Sequence, residues 1–191
     1  MPSAVIPDRI SELSVELRRW RIADAYALSR LVADNLDHLR PWMPWIEAEP
    51  LSVLSRTQMI REWEKKRRDG GDLIVGVFIG GQPVGGAGLH RRRGPEILEI
   101  GYWIGARYTG MGYATRSASL LADLAFSLPS IAKVEIHHDR ANVASSRVAQ
   151  RAGMVFVSET ATDIAAPGES GVEWTWAMTR AEWLEARGSG R

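Results

Sequence analysis

The sequence predicts an α/β domain built on a mixed, mostly antiparallel sheet flanked by helices. Runs alternating in polarity, such as 96–104 and 172–178, are interleaved with runs such as 114–126, where apolar residues recur every three or four positions. Prolines and glycine pairs (Pro41, Pro44, Gly70-Gly71, Gly80-Gly81) punctuate these runs as breaks and turns. With 191 residues, 45% hydrophobic and eight tryptophans, the chain can bury one substantial core, and no linker-like stretch divides it.

Residues 1–12, with Pro2 and Pro7, read as a flexible lead-in, 13–186 as the domain and 187–191 as a flexible tail. Val15, Leu17, Trp20 and Ile22 suggest a first strand that runs into a helix with Ala25, Leu28 and Val32 on one face. Pro41 and Pro44 break that helical region and leave Trp42 and Trp45 at a bend. The spacing predicts a second helix over 51–69, with Met59, Ile60 and Trp63 on one face and Gly70-Gly71 as its stop. Its last turn, Lys65-Lys66-Arg67-Arg68, complements the helix dipole and reads as a solvated face, as does Arg91-Arg92-Arg93.

Residues 73–79 and 83–89 make a hairpin across Gly80-Gly81, and the second of these strands is rich enough in glycine that something must approach it closely. Over 96–104, Leu98, Ile100, Tyr102 and Ile104 fall on one face and Glu99, Gly101 and Trp103 on the other. A carboxylate there is either solvent-facing or lines a cleft. A helix over 114–126, a strand over 131–138, a helix after Asn142 closed by Gly153, and a strand pair over 154–157 and 172–178 follow. Thr179-Arg180-Ala181-Glu182 is a capping-box pattern that starts a short closing helix.

Charge excludes more than it selects. Lys plus Arg at 24 nearly cancels Asp plus Glu at 23, which gives no argument for nucleic acid, a membrane surface or an acidic substrate. No cysteine is present, which removes disulfides, thiolate metal sites and a cysteine acyl-enzyme. The first residues lack the order of a signal peptide and no apolar run approaches membrane-spanning length, so the cytoplasm is the simplest location. His137-His138-Asp139 does not suit a metal, since adjacent strand residues point to opposite faces; structural or solvent-exposed histidines fit better.

The chemistry-bearing stretch is Arg107-Tyr108-Thr109-Gly110-Met111-Gly112, between an alternating strand and an amphipathic helix. Amides at a helix start have no internal partner and the helix dipole is positive there, so glycines allowing close backbone approach suit a phosphate or pyrophosphate. Arg107 reinforces that field. A Walker loop would need Gly-Lys-Ser/Thr, which is absent, and a dinucleotide fingerprint a small third residue where Thr115 stands.

This loop, with Gly101-Tyr102-Trp103 before it and Tyr113-Ala114-Thr115 after it, resembles the R/Q-x-x-G-x-G/A loop of the GNAT superfamily of acyl-CoA-dependent N-acetyltransferases. Asn-Leu-Asp-His-Leu-Arg-Pro-Trp-Met-Pro-Trp at 35–45, Glu99-Ile100-Gly101-Tyr102-Trp103, and the segment from Asn142 and Ser145 to Gly153-Met154 resemble the Rim-type branch, the ribosomal-protein N-terminal acetyltransferases. The likeness covers about 13–179, and Met154, where the family usually has Phe, is a departure that affects packing.

The resemblance implies a sheet splayed after the strand that ends near Ile104, with acetyl-CoA in the opening. It also implies amides from Tyr108 to Tyr113, including Thr109, Gly110, Met111 and Gly112, on the pyrophosphate, and backbone amides near Trp103 and Ile104 on the thioester carbonyl. Asn142, by type a helix N-cap, matches the family asparagine that contacts the pantetheine arm. Ser145 is the implied general acid, with Ser146 the reserve, and Glu99 the implied base, with Glu96 its competitor. Trp42 and Trp45 are core packing or part of the acceptor groove.

The implied activity is direct acetyl transfer to a primary amine in a ternary complex, with no metal. The leading acceptor is a protein or peptide N-terminal α-amine, ribosomal or other. Small amines such as polyamines or aminoglycosides are the alternative, and a non-catalytic acyl-CoA sensor is the rival from another class. A ribosome- or RNA-associated binder using the basic clusters is weakened by the near-zero net charge. Oligomeric state stays open, a homodimer included.

Overall fold

The computed structural model describes residues 9–188. Its strands are β1 (Arg9–Glu12), β2 (Val15–Arg19), β3 (Leu73–Ile79), β4 (Gln82–His90), β5 (Ile97–Ile104), β6 (Lys133–Asp139), β7 (Val155–Ala161) and β8 (Val172–Thr179). The helices are α1 (Ala25–Ala33), α2 (Leu36–Leu39), α3 (Val53–Arg68), α4 (Tyr113–Phe126), α5 (Val143–Arg151) and α6 (Arg180–Gly188), with a 3-10 turn at Pro44–Ala48.

One eight-stranded sheet runs in the order β1-β2-β3-β4-β5-β6-β8-β7. Every pairing is antiparallel except β5–β6, joined in parallel by the α4 crossover; β2–β3 and β6–β8 pair across helical connections rather than hairpins. The β3–β4 turn places Gly80 and Gly81 at φ 55° and 81°, as a two-residue primed turn requires.

Both faces of the central strands are covered. α4 packs Ala118, Leu121 and Ala125 against one face, where Leu98, Ile100 and Ile104 lie, while α1 and α3 cover the other with Leu28, Val32 and Ile60 around Trp20 and Phe78. The alternation expected along 96–104 holds, with Trp103 packed against the second cluster. Thr179 and Glu182 form the expected capping box, the Glu182 carboxylate accepting from the Thr179 amide and hydroxyl at 2.7 Å each.

Three differences matter. Residues 1–8 and 189–191 lie outside the described residues, but Arg9–Glu12, expected in a flexible lead-in, pairs with β2 as an edge strand. The bend after α1 is built from short pieces, α2 and the 3-10 turn, which buries Leu39 and Ile46. β7 runs four residues past the expected 157 to Ala161, because it is an exposed edge without the apolar alternation that marks a half-buried strand.

The decisive feature lies between β5 and β6. They pair only at Ile97–Lys133, Leu98–Val134 and Glu99–Glu135; beyond this β5 stays with β4 to Ile104 and β6 with β8 to Asp139. The sheet is splayed there.

Candidate active site

On one side of the opening stands the glycine loop. Gly110 and Gly112 have φ of 74° and 79°, and a Cβ on either would meet nothing within 4 Å. Tyr108 and Tyr113 pack against the main core and anchor the two ends of the loop. Among the described residues the amides of Gly110, Met111 and Gly112 have no acceptor, and the first α-helical bond past the loop runs from Arg116 N to Gly112 O, 3.0 Å. Loop amides and the first turn of α4 therefore present unpaired donors to open space, which fits a diphosphate. Arg107 is exposed beside them, and the Thr109 hydroxyl donates to Ala106 O at 2.9 Å, inside the loop.

The end of β5 can be read from its ladder. The Gly105 amide donates to Val84 O at 2.8 Å, which makes Ile104–Gly85 a non-hydrogen-bonded pair. Ile104 thus turns its own N–H and C=O away from β4, toward the open side. Trp103 has the opposite phase, so its N–H belongs to the β4 ladder and only its indole is offered to the site. That indole lies on Gly86, where a Cβ would come within 2.6 Å of Nε1, and this is the close approach that the glycine-rich strand foretold.

Across the opening lies a cavity of about 1070 Å³, bounded by β4, β5, β6, α3 and the segment that carries Trp42 and Trp45. The glycine loop stands outside its lining. Trp45 is 40% exposed and tilts against Trp103 with ring centroids 6.0 Å apart, so it is a wall of the cavity rather than core. Carboxylates outnumber guanidinium groups along the walls, which favours a cationic or amine guest over an anion.

Glu99 is only 6% exposed, lines this cavity, and is held by two arginines, Arg92 Nη2 at 2.6 Å and Arg93 Nε at 2.8 Å. Burial pushes its carboxyl up, but the hydrogen bonds and charges of these guanidinium groups outweigh it and hold Glu99 below the ordinary glutamate range. Arg92 and Arg93 are exposed, as the sequence suggested, but their guanidinium groups also close on the Glu99 carboxylate. His90 sits opposite Glu99 in the β4–β5 register, so the short connection 91–96 delivers both side chains onto it. Glu96 is exposed and absent from the cavity lining.

Arg93 also reaches Glu173, 3.4 Å, and Glu173 accepts from His137 Nδ1 at 3.0 Å or pairs with it, while His137 Nε2 lies 2.8 Å from Glu135. Nothing in the sequence marked Glu173 or Glu135, because their strand neighbours gave no motif. His138 is structural: Trp176 Nε1–H can only donate to its Nε2, at 3.0 Å, so Nδ1 carries the proton toward Asp139 O at 2.8 Å. Burial pushes the His138 pKa down, in keeping with a neutral ring. Among the described residues no group of three His, Asp or Glu could hold a metal ion.

Asn142 caps α5, its Oδ1 accepting from Ser145 N at 3.1 Å, and it also lines the cavity. Ser145 is half-buried and lines it too; Ser146 is buried, with Oγ 3.4 Å from His138 Nε2. Tyr102 spans the opening, its hydroxyl donating to Ser145 O at 3.4 Å, and burial pushes its pKa up to about 12. Asp139 ties down the β7–β8 loop by accepting from the amides of Ser170, Gly171 and Val172 at 2.9–3.2 Å. Among the described residues no helix is long and apolar enough to cross a membrane.

Residues 14–155 match the Acetyltransferase (GNAT) domain family. The chain is 26% identical over 142 residues, 74% of its length and 78% of the relative's, to YdaF of Bacillus subtilis (strain 168), named as a ribosomal N-acetyltransferase. In fold it is similar to RimL, a ribosomal L7/L12 α-N-protein acetyltransferase solved with coenzyme A, at 20% identity and TM-score 0.80, covering 91% of this chain and 97% of that one. It is also similar to the microcin C7 self-immunity acetyltransferase MccE, solved with acetyl-CoA and AMP, at 19% identity and TM-score 0.79, covering 94% and 97%. The matched span runs through the parted strands, the glycine loop and the α4 helix that follows it, and on this ground the chain belongs to the GNAT acetyltransferase family, as an acetyl-CoA-dependent N-acetyltransferase.

Proposed function

We propose that this enzyme acetylates a primary α-amine presented by a flexible protein or peptide end, a ribosomal protein among the candidates, in the cytoplasm. The observation that carries the reading is the parting of β5 from β6, with unpaired loop amides on one side and an acid-rich, tryptophan-walled cavity on the other. The names of YdaF and RimL support a protein acceptor.

Acetyl-CoA supplies a thioester, which needs neither a metal nor an acyl-enzyme to react with a neutral amine. The amides of Gly110 to Tyr113 would hold its diphosphate, with Arg107, Tyr108 and Thr109 beside them, and Asn142 would face the pantetheine arm. The Ile104 N–H would polarise the thioester carbonyl. As the C–N bond forms and the C–S bond breaks, Glu99 takes the amine proton through a water, and the Ser145 hydroxyl gives one to the departing thiolate and is reprotonated by solvent. Trp42 and Trp45 would border the first side chains of the acceptor.

The depressed Glu99 pKa has a kinetic consequence. A carboxylate that titrates below about 4.5 is fully ionised at pH 6–9, so the acidic limb of kcat/KM should belong to the acceptor α-amine, whose ordinary pKa is about 7.7–8.0. Glu99→Gln should lower kcat/KM about 10²-fold, the low end for a general base, without moving that limb. A limb present in the wild type near pH 6 and missing in the variant would contradict the ion-paired state as the reactive one. Ser145→Ala should slow transfer while calorimetry returns an unchanged affinity for CoA.

The acceptor itself is decided by mass spectrometry. Enzyme and acetyl-CoA are incubated with short peptides blocked at the α-amine or at lysine, alongside polyamines and aminoglycosides. The α-amine should carry the acetyl group; acetylation of the small amines with none at any peptide α-amine would replace this reading.

A further inference from the structure

The stretch 35–45 was singled out by sequence, yet the chemistry above uses only its tryptophans. Asn35 and His38, at the start and in the middle of α2, are both turned toward the end of β5. Asn35 Oδ1 accepts the Ala106 amide at 2.7 Å, while its Nδ2 donates to Leu31 O at 2.7 Å. His38 Nε2 lies 3.2 Å from Ile104 O, and since a carbonyl only accepts, that nitrogen carries the hydrogen. Between them the Gly105 amide is taken by Val84 O, and a Cβ on Gly105 would lie 3.2 Å from the Asn35 amide.

Three successive residues, Ile104, Gly105 and Ala106, are therefore pinned from outside, two of them by α2. Past Ala106 the loop holds itself, through Tyr108 N to Gly105 O at 2.8 Å and Thr109 Oγ1 to Ala106 O at 2.9 Å. The other end of α2 runs directly into Trp42 and Trp45. One short element thus touches both the residue that turns its amide into the opening and the wall of the acceptor cavity.

We propose that Asn35 and His38 are positioning residues that fix the end of β5 and the cofactor loop relative to the acceptor wall, and so set the distance between thioester and amine. The proposal rests on the acetyl-transfer reading. Each half keeps its own binding contacts when the tie is cut, so the loss should fall on turnover rather than affinity. A misplacement of about 1 Å in such a pair is worth as much as about 10²-fold.

The test compares Asn35→Ala, His38→Ala, His38→Gln and the double alanine variant, each checked for folding by near-UV circular dichroism. Steady-state kinetics with both substrates varied are paired with calorimetric affinity for CoA and with hydrogen exchange over 36–48. Each alanine variant should lose about ten-fold in kcat and the double about 10²-fold, with CoA affinity and acceptor KM within about three-fold. Gln, which can still donate to Ile104 O, should recover most of the His38→Ala loss. CoA should slow exchange over 36–48 in the wild type and not in the double variant. Wild-type kcat in the folded double variant, a loss carried wholly by CoA affinity, or equal losses for His38→Ala and His38→Gln would each overturn the proposal. Should the double variant not fold, the His38→Ala and His38→Gln comparison decides alone. A wild type that acetylates no amine would remove the acceptor reading instead, and the exchange result would then judge the tie: no CoA-dependent slowing in the wild type overturns it.

Discussion

Gly110→Val should weaken binding of CoA by about 10²–10³-fold while the domain stays folded. Gly110 sits at φ 74°, where a β-branched residue is strained, and it does so with open space in front of it. The harm is thus not a clash with the protein. To relieve strain of about 1–3 kcal/mol, the backbone must rotate, and rotation turns away the unpaired amides of Gly110 and Met111. A hydrogen bond to a charged group contributes about 1.5–3 kcal/mol, so losing one or two of them accounts for the expected factor. Calorimetry with CoA reads the affinity, and circular dichroism reads the fold. Unchanged affinity in a folded variant would mean that the diphosphate sits elsewhere. Gly112→Val, at φ 79°, should behave alike, with added damage to the α4 N-terminus that it caps.

How much of this was legible in the sequence depends on whether the information is periodic. The central strands and α4 were, since their apolar residues repeat at two or at three to four positions and the buried sets agree. β1 was not, because a four-residue edge strand with burial only at Ile10 carries no pattern to detect. The 35–51 segment was legible only as a break, since Pro41 and Pro44 signal an interruption but not the turns that bury Leu39 and Ile46.

The candidate site divides along the same line. The loop glycines announced a backbone open to close approach, which the structure builds at positive φ, and Glu99, Asn142 and Ser145 came from short motifs; the fold brings all three to one cavity. The partners of Glu99 did not come, since Arg92 and Arg93 form part of a basic run that by itself reads as solvated, and only the β4–β5 register brings their guanidinium groups onto the carboxylate. The same applies to the phase of β5. Alternation gives the face of a side chain, but whether Trp103 or Ile104 turns its amide to the opening depends on which pair is hydrogen-bonded, and that is set by β4.

The ties beneath the tryptophan wall of the cavity were hidden for a different reason, and they carry the second large expectation. Arg56 is 2% exposed and its Nη2 meets Glu49 Oε1 at 2.6 Å, with both side chains only 3% accessible. Glu49 follows the Pro44–Ala48 turn that holds Trp45, and its other oxygen accepts from Leu51 N at 2.8 Å. Arg56 stands on α3, so the pair fastens the wall of the cavity to the helix behind it. A helical arginine seven residues from a glutamate looks like ordinary surface charge, and only burial makes it costly to disturb. Arg56→Met leaves the Glu49 carboxylate buried without its cation and should destabilise the protein by about 3–5 kcal/mol. At roughly 2–4 °C per kcal/mol for a domain of this size, the melting temperature should fall by about 6–20 °C. Glu49→Leu with Arg56→Met removes both charges together and should recover most of that loss, since apolar residues of similar volume often replace a buried pair at little cost. Urea unfolding of the wild type and the variants checks both statements. A single variant within about 1 kcal/mol of the wild type would show that the Glu49 carboxylate finds water or another donor as soon as Arg56 is gone. A double variant as unstable as the single one would show instead that the geometry of the pair, rather than the unpaired charge, holds the wall in place.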